Sequence, residues 1–101
     1  MTNKIYSIDE IRSIVTPIAV KYGLSRVFLF GSYAKGSATE SSDVDLLIAT
    51  NLSGLKYYGM VEALREKLHK KVDALDFGQL KNNPELLNDI LKDGIRIYAK
   101  G

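Results

Sequence analysis

The sequence has no cysteine, no tryptophan, a single histidine and two prolines in 101 residues. Without cysteine there is no disulfide framework and no thiolate zinc site. That absence suits a reducing compartment, and the cytoplasm is the expected address. One histidine, His69, excludes a multi-histidine metal centre and any Ser/His or Cys/His chemistry that bypasses it. No apolar run approaches the roughly 20 residues that cross a bilayer. The opening Met1-Thr2-Asn3-Lys4-Ile5-Tyr6 has no signal-peptide apolar region, so no membrane is expected. Charge of one sign is also lacking: 14 basic against 12 acidic residues leave +2. That balance is unlike the basic stripe of a dedicated nucleic-acid binder, and no direct nucleic-acid contact is expected. What remains is an ordinary globular composition, 46% apolar and 26% charged. It predicts a single domain over residues 1–101 with one modest core and no disordered tail.

Periodicity predicts the elements. Ser7-Ile8-Asp9-Glu10 is a capping box, and Ile8, Ile11, Ile14, Val15, Ile18 and Tyr22 continue it as one helix face. Pro17 should kink or split that helix, and Gly23 should stop it. Arg26–Phe30 is a short strand rich in β-branched and aromatic residues. Val44–Ala49 is a second strand, apolar on both faces toward its end and therefore central. Asn51–Gly54 is a turn. Tyr57 or Tyr58, Val61, Leu64 and Leu68 have the spacing of a buried helix stripe, with Glu62, Arg65, Glu66 and Lys67 opposite. Lys71–Phe77 alternates as a third strand, with Val72, Ala74 and Asp76 on one side. Pro84 opens a helix with the stripe Leu86, Leu87, Ile90 and Leu91, which Gly94 ends. Ile95–Tyr98 closes the chain as a strand. The alternation predicts an α/β fold, a small mixed β-sheet flanked by helices.

The chemistry-bearing stretch is Gly31 to Asp45. Gly31-Ser32 follows directly on an apolar strand, where glycine lets backbone approach a ligand and a helix starting near Ser32 would offer its amides to phosphate. Asp43 and Asp45 are two apart at a strand start, so both carboxylates point to one face. Two like charges side by side are destabilising without compensation. A divalent cation is the usual compensation, and hard oxygen ligands suit Mg²⁺ or Mn²⁺. Asp-x-Asp alone reads most simply as two solvated residues. A strand, Gly-Ser, ten residues and then Asp-x-Asp entering a buried strand is a rare conjunction.

Leu29-Phe30-Gly31-Ser32-Tyr33-Ala34-Lys35-Gly36, followed by Ser42-Asp43-Val44-Asp45-Leu46-Leu47-Ile48, resembles the minimal nucleotidyltransferases of the DNA polymerase beta-like superfamily. The resemblance runs over nearly the whole chain and implies the palm-like nucleotidyltransferase fold. Lys35 departs from it: many members carry Arg there, whose planar fork binds phosphate bidentately. The resemblance implies Gly31 and Ser32 as nucleotide-binding residues. It also implies a third carboxylate, at Asp73 by the family pattern with Asp76 as the rival, so that Asp43, Asp45 and Asp73 are both catalytic and metal-binding. It further implies transfer of AMP from ATP, with Mg²⁺ or Mn²⁺, to a protein hydroxyl. Members this short occur as antitoxins beside a small helical HEPN ribonuclease toxin, and some modify a tyrosine of it. The rival readings are transfer to a small molecule, which a chain this short has little material to enclose, and a non-catalytic antitoxin acting by contact.

Four other residues have plainer expectations. His69 is expected to be solvated at a helix end, and Tyr57 and Tyr58 to be core and flank. Lys70-Lys71 is expected to be a solvated helix end. Tyr33 either packs beneath the motif or faces the acceptor.

Overall fold

A computed structural model describes residues 2–101. The elements run α1 (Ile8–Lys21), β1 (Arg26–Phe30), α2 (Gly31–Lys35), β2 (Val44–Ala49), α3 (Gly54–Leu68), β3 (Val72–Asp76), a 3-10 turn (Phe77–Leu80), α4 (Pro84–Asp93) and β4 (Ile95–Ala99). One four-stranded sheet has the order β3-β2-β1-β4. β1 is antiparallel to β2 and β4, while β2 and β3 are parallel and joined through α3. The sheet is therefore mixed and flanked by helices, as the pattern predicts.

The capping box at Ser7 forms in both directions: the Glu10 amide donates to Ser7 Oγ (3.1 Å) and the Ser7 amide to Glu10 Oε1 (3.0 Å). Pro17 does not split α1, which runs unbroken through it. The missing amide falls on the exposed side of the helix, where water can serve the Ser13 carbonyl, while Val15, Ile18 and Ala19 hold the other side in the core.

Strand alternation sorts the apolar residues onto two faces. Val27, Leu29, Val44, Leu46, Ile48 and Val72 pack with α1 and α3 in the larger cluster. Leu47, with Phe28, Phe30 and Leu75 beside it, faces Leu80 and Ile90 of the 3-10 turn and α4. Leu46, Leu47 and Ile48 are all fully buried, because β2 lies between β1 and β3 and is covered on both sides.

Two further expectations need correction. The stripe of α4 is only half buried: Ile90 is 5% exposed, but Leu86 and Leu91 are 39% and 40% exposed. A ten-residue helix over a small face covers it with one edge of its stripe. The paired tyrosines are core and flank as expected: Tyr57 packs against the core and Tyr58 points outward. Lys70 is not solvated at all; it is 4% exposed. Its Nζ donates to the carbonyls of Glu40 (2.9 Å) and Thr2 (3.4 Å), which replace the water it loses. His69 does lie at the surface, in the left-handed conformation that ends α3 (φ 52°).

Candidate active site

The site is assembled where β1 ends and β2 begins, on the face shared with α4. β1 runs straight into α2, so Gly31 is both the last step off the strand and the first residue of the helix. Its φ is +73°, and a Cβ built there would lie 2.1 Å from Asp45 Oδ2. Both facts demand glycine: the backbone conformation is one L residues avoid, and the space is taken by a carboxylate. Ser32 follows in the first turn of α2, half-buried. Tyr33 is buried and packs in the α1/α3 cluster, so it lies beneath the motif rather than toward an acceptor.

The loop that carries Asp43 is tied down along its length. Gly36 turns the chain at φ +75°, and the Ser37 amide returns to the Ser32 carbonyl (3.0 Å). The Thr39 amide donates to Ser42 Oγ (2.8 Å) and the Ser42 amide to the Thr39 carbonyl (3.1 Å). Lys70 grips the Glu40 carbonyl from below. The Val44 amide then enters the sheet on the Lys71 carbonyl (3.0 Å). Sequence reasoning missed Lys70 as part of this scaffold. Nothing in a Lys-Lys pair at a helix end signals burial; only the return of Thr2 and Glu40 to the same point does.

Asp45 lies opposite Phe30 on β1 and opposite Asp73 on β3. Residues in register share a face, so Asp45 and Asp73 project from the same side of two adjacent strands, and Asp43, one residue ahead of β2, is near enough for its charge to act on Asp45. Asp76, three on from Asp73, turns to the other side. It caps the 3-10 turn by accepting from the Gly78 amide (3.0 Å), and with burial as the larger cause it holds the Tyr57 hydroxyl above its usual pKa. Burial first, then the charges of Asp73 and Asp43, push Asp45 up to about 6. A carboxyl so placed is stabilised as an anion by any cation brought among the three. No ion pair in the structure supplies one: those among the described residues join Lys4 to Glu10, Arg12 to Asp9 and Arg65 to Glu62.

These donors fit a hard divalent cation in kind: oxygen only, with three formal charges. Among the described residues no three acidic or histidine side chains are already drawn close enough to hold an ion. Asp73, exposed at the sheet's edge, has the freedom to swing inward that such a gathering requires. Beside Gly31 a cleft of about 190 Å³ opens between α2 and α4, lined by Phe30, Lys35, Leu86 and Asp89 among others. It is smaller than the ~300–1,000 Å³ of an enclosing ligand pocket.

Comparison with known proteins gives this constellation a context. The family described as polymerase beta nucleotidyltransferase matches residues 14–101. A Methanocaldococcus jannaschii protein named as a candidate protein adenylyltransferase is 34% identical over 98 residues, 90% of this chain and 98% of its own. The protein adenylyltransferase MntA of Thermococcus cleftensis is 34% identical over 82 residues, 75% of this chain and 83% of its own. Among solved structures, a candidate minimal nucleotidyltransferase superposes with TM-score 0.75 at 30% identity, covering 89% of this chain and 95% of its own. A toxin–antitoxin complex with AMP-PNP superposes with TM-score 0.74 at 19% identity, covering 88% and 73%, a likeness of fold.

Proposed function

The chain belongs to the polymerase beta nucleotidyltransferase family and is a nucleotidyltransferase; from that premise we propose that it moves AMP from ATP to a hydroxyl of a partner protein. The observation that carries the proposal is the grouping of Asp45 and Asp73 on one face of two adjacent strands with Asp43 beside them at the strand entrance, and Gly31 pressed against Asp45. ATP lies with its phosphates at Gly31 and Ser32, where the lack of a side chain on Gly31 brings the backbone against the Asp45 carboxylate. Asp43, Asp45 and Asp73 would hold Mg²⁺ or Mn²⁺, which when bound offsets charge on the triphosphate and lowers the pKa of an attacking hydroxyl. An Asp73 carboxylate oxygen takes the acceptor's proton. The acceptor oxygen forms a bond to the α-phosphorus, and the bond from that phosphorus to the pyrophosphate oxygen breaks.

The shallow cleft beside Gly31 supports a protein acceptor, because a reacting group not enclosed by the enzyme must be positioned by its own surroundings. The curated relatives are named for protein adenylyl transfer, and one structure of the same fold is described as a tri-AMPylated HEPN toxin with its MNT antitoxin. These names support a HEPN toxin as partner and an antitoxin role; to that reading we add a tyrosine as acceptor and the cytoplasm as address. Added phosphodiester charge near a ribonuclease site would repel RNA phosphates. The test is intact-mass measurement of a co-purified partner with and without ATP and Mg²⁺. Addition of AMP by the parent, and none by Asp45→Asn, is expected. A partner neutralised equally well with no mass gain establishes the contact reading instead.

A further inference from the structure

β3 is an edge strand: among the described residues β2 lies on one side and no strand on the other. Its backbone groups alternate between the two sides. The Lys71 carbonyl turns inward to the Val44 amide. The Val72 carbonyl turns outward, where the Arg65 guanidinium reaches it at 3.5 Å. The same alternation turns Asp73 and Leu75 inward and Ala74 and Asp76 outward. Outward at Asp76, the amide donates to Gln79 Oε1 (2.9 Å). Side chains thus guard both ends of the edge. Between them the N–H and C=O of the partly exposed Ala74 stand open, and no side chain among the described residues takes them. A groove of about 420 Å³ runs beside them, with Tyr57 and Tyr58 of α3 on one bank and Asp73 and Ala74 on the other.

We propose that this free edge is where the acceptor docks: an extended segment of the acceptor protein pairs with β3 at Ala74 and presents a tyrosine to the carboxylate face. The proposal rests on the transferase reading. An outward N–H and C=O on one residue call for an acceptor and a donor at strand spacing, which an extended peptide backbone supplies. The residue opposite Ala74 turns its side chain to the α3 side, where Tyr57 and the exposed Tyr58 line the groove and offer apolar footing. The neighbour opposite Asp73 turns its side chain to the face of Asp45. Two strand spacings, about 10 Å, then separate its backbone from that of Asp45. A tyrosine can lean across Asp73 toward Asp45; a serine hydroxyl stops short. The guarded ends limit the ladder to about three residues, so docking is brief and the product leaves.

The probes are the peptide Thr-Val-Tyr-Val-Thr-Lys, a copy N-methylated at both residues flanking the tyrosine, and a copy with serine for tyrosine. Each is supplied with labelled ATP and Mg²⁺. The parent peptide should be labelled at least tenfold faster than either copy. On adding parent peptide, hydrogen exchange at the Ala74 amide should slow at least tenfold. Equal labelling of parent and N-methylated peptides, or transfer to any protein acceptor without slowing at Ala74, overturns edge docking and leaves the transferase standing. A folded chain that moves AMP neither to peptide, to protein nor to water overturns the transferase reading and the docking mode with it.

Discussion

The two faces of the sheet are built for different ends. Against α1 and α3 stands a broad cluster in which Ile11, Val15, Leu46, Met60 and Leu64 are all sealed from solvent. Against α4 the buried set is Leu47, Leu80 and Ile90, and the helix leaves Leu86 and Leu91 partly in water. Asp45 and Asp73 sit on this thinner face with Asp43 beside them, at the end that α4 does not cover. A complete cover there would bury like charges that the fold cannot neutralise, so the same sheet keeps its stability on one side and its chemistry on the other.

The sharpest way to test that division is to neutralise the charges. Asp45→Asn should lower transfer at least a thousandfold, about 4 kcal/mol of barrier, while metal-free thermal unfolding stays at or above the parent's temperature because repulsion is removed. Addition of Mg-ATP should raise the parent's Tm but not the variant's. A variant that unfolds early would place Asp45 among the structural residues.

Next comes packing. Leu64→Ala on the thick face should cost about 3 kcal/mol, while Leu91→Ala on α4 should stay within about 0.5 kcal/mol of the parent. Denaturant titration measures both, and comparable losses would erase the contrast between faces.

The two aspartates of β3 divide the comparison within one strand. Asp73→Asn should lower turnover by about two orders of magnitude with little change in stability. Asp76→Asn should leave turnover within a few-fold and change stability little, because the asparagine Oδ1 still accepts from the Gly78 amide, whereas Asp76→Ala should cost about 1 kcal/mol through the lost cap. The reverse ranking in steady-state kinetics would put the wrong carboxylate at the reacting face.

The smallest effect is a pH dependence. Asp45 has a folded pKa of about 6 against 3.8 as its ordinary value. The group's contribution to stability is therefore fully present below about pH 3.8 and is lost as pH rises through about 6. In metal-free protein the parent's Tm should fall relative to that of Asp45→Asn across this window, and bound Mg-ATP should flatten the difference. A parallel pair of Tm curves would show that Asp45 is not perturbed.

Much of this was legible residue by residue. The capping box at Ser7, the alternation of Val72 to Asp76 and the Leu46-Leu47-Ile48 run are local signals, and local signals survive into the fold because they state which groups seek burial or a hydrogen-bond partner. The closeness of Asp43 to Asp45 is local in the same way. Pro17, Lys70, Leu86 and Leu91 misled, each because its fate depends on what another segment brings to it. Pro17 is tolerated because its side of α1 faces water. Lys70 is buried because two carbonyls from distant parts of the chain replace its hydration. Leu86 and Leu91 stay exposed because the face beneath α4 is narrower than the helix stripe.

The sequence by itself determined the elements, the mixed α/β class, the glycine at the strand end and the pairing of Asp43 with Asp45, since periodicity and backbone sterics act over a few residues. Only the tertiary structure decided that β3 lies parallel beside β2 with Asp73 in register with Asp45, and that the Cβ absent from Gly31 leaves the space Asp45 Oδ2 occupies. Strand order and register are set by which faces the helices cover, a property of the whole core that no window of residues contains.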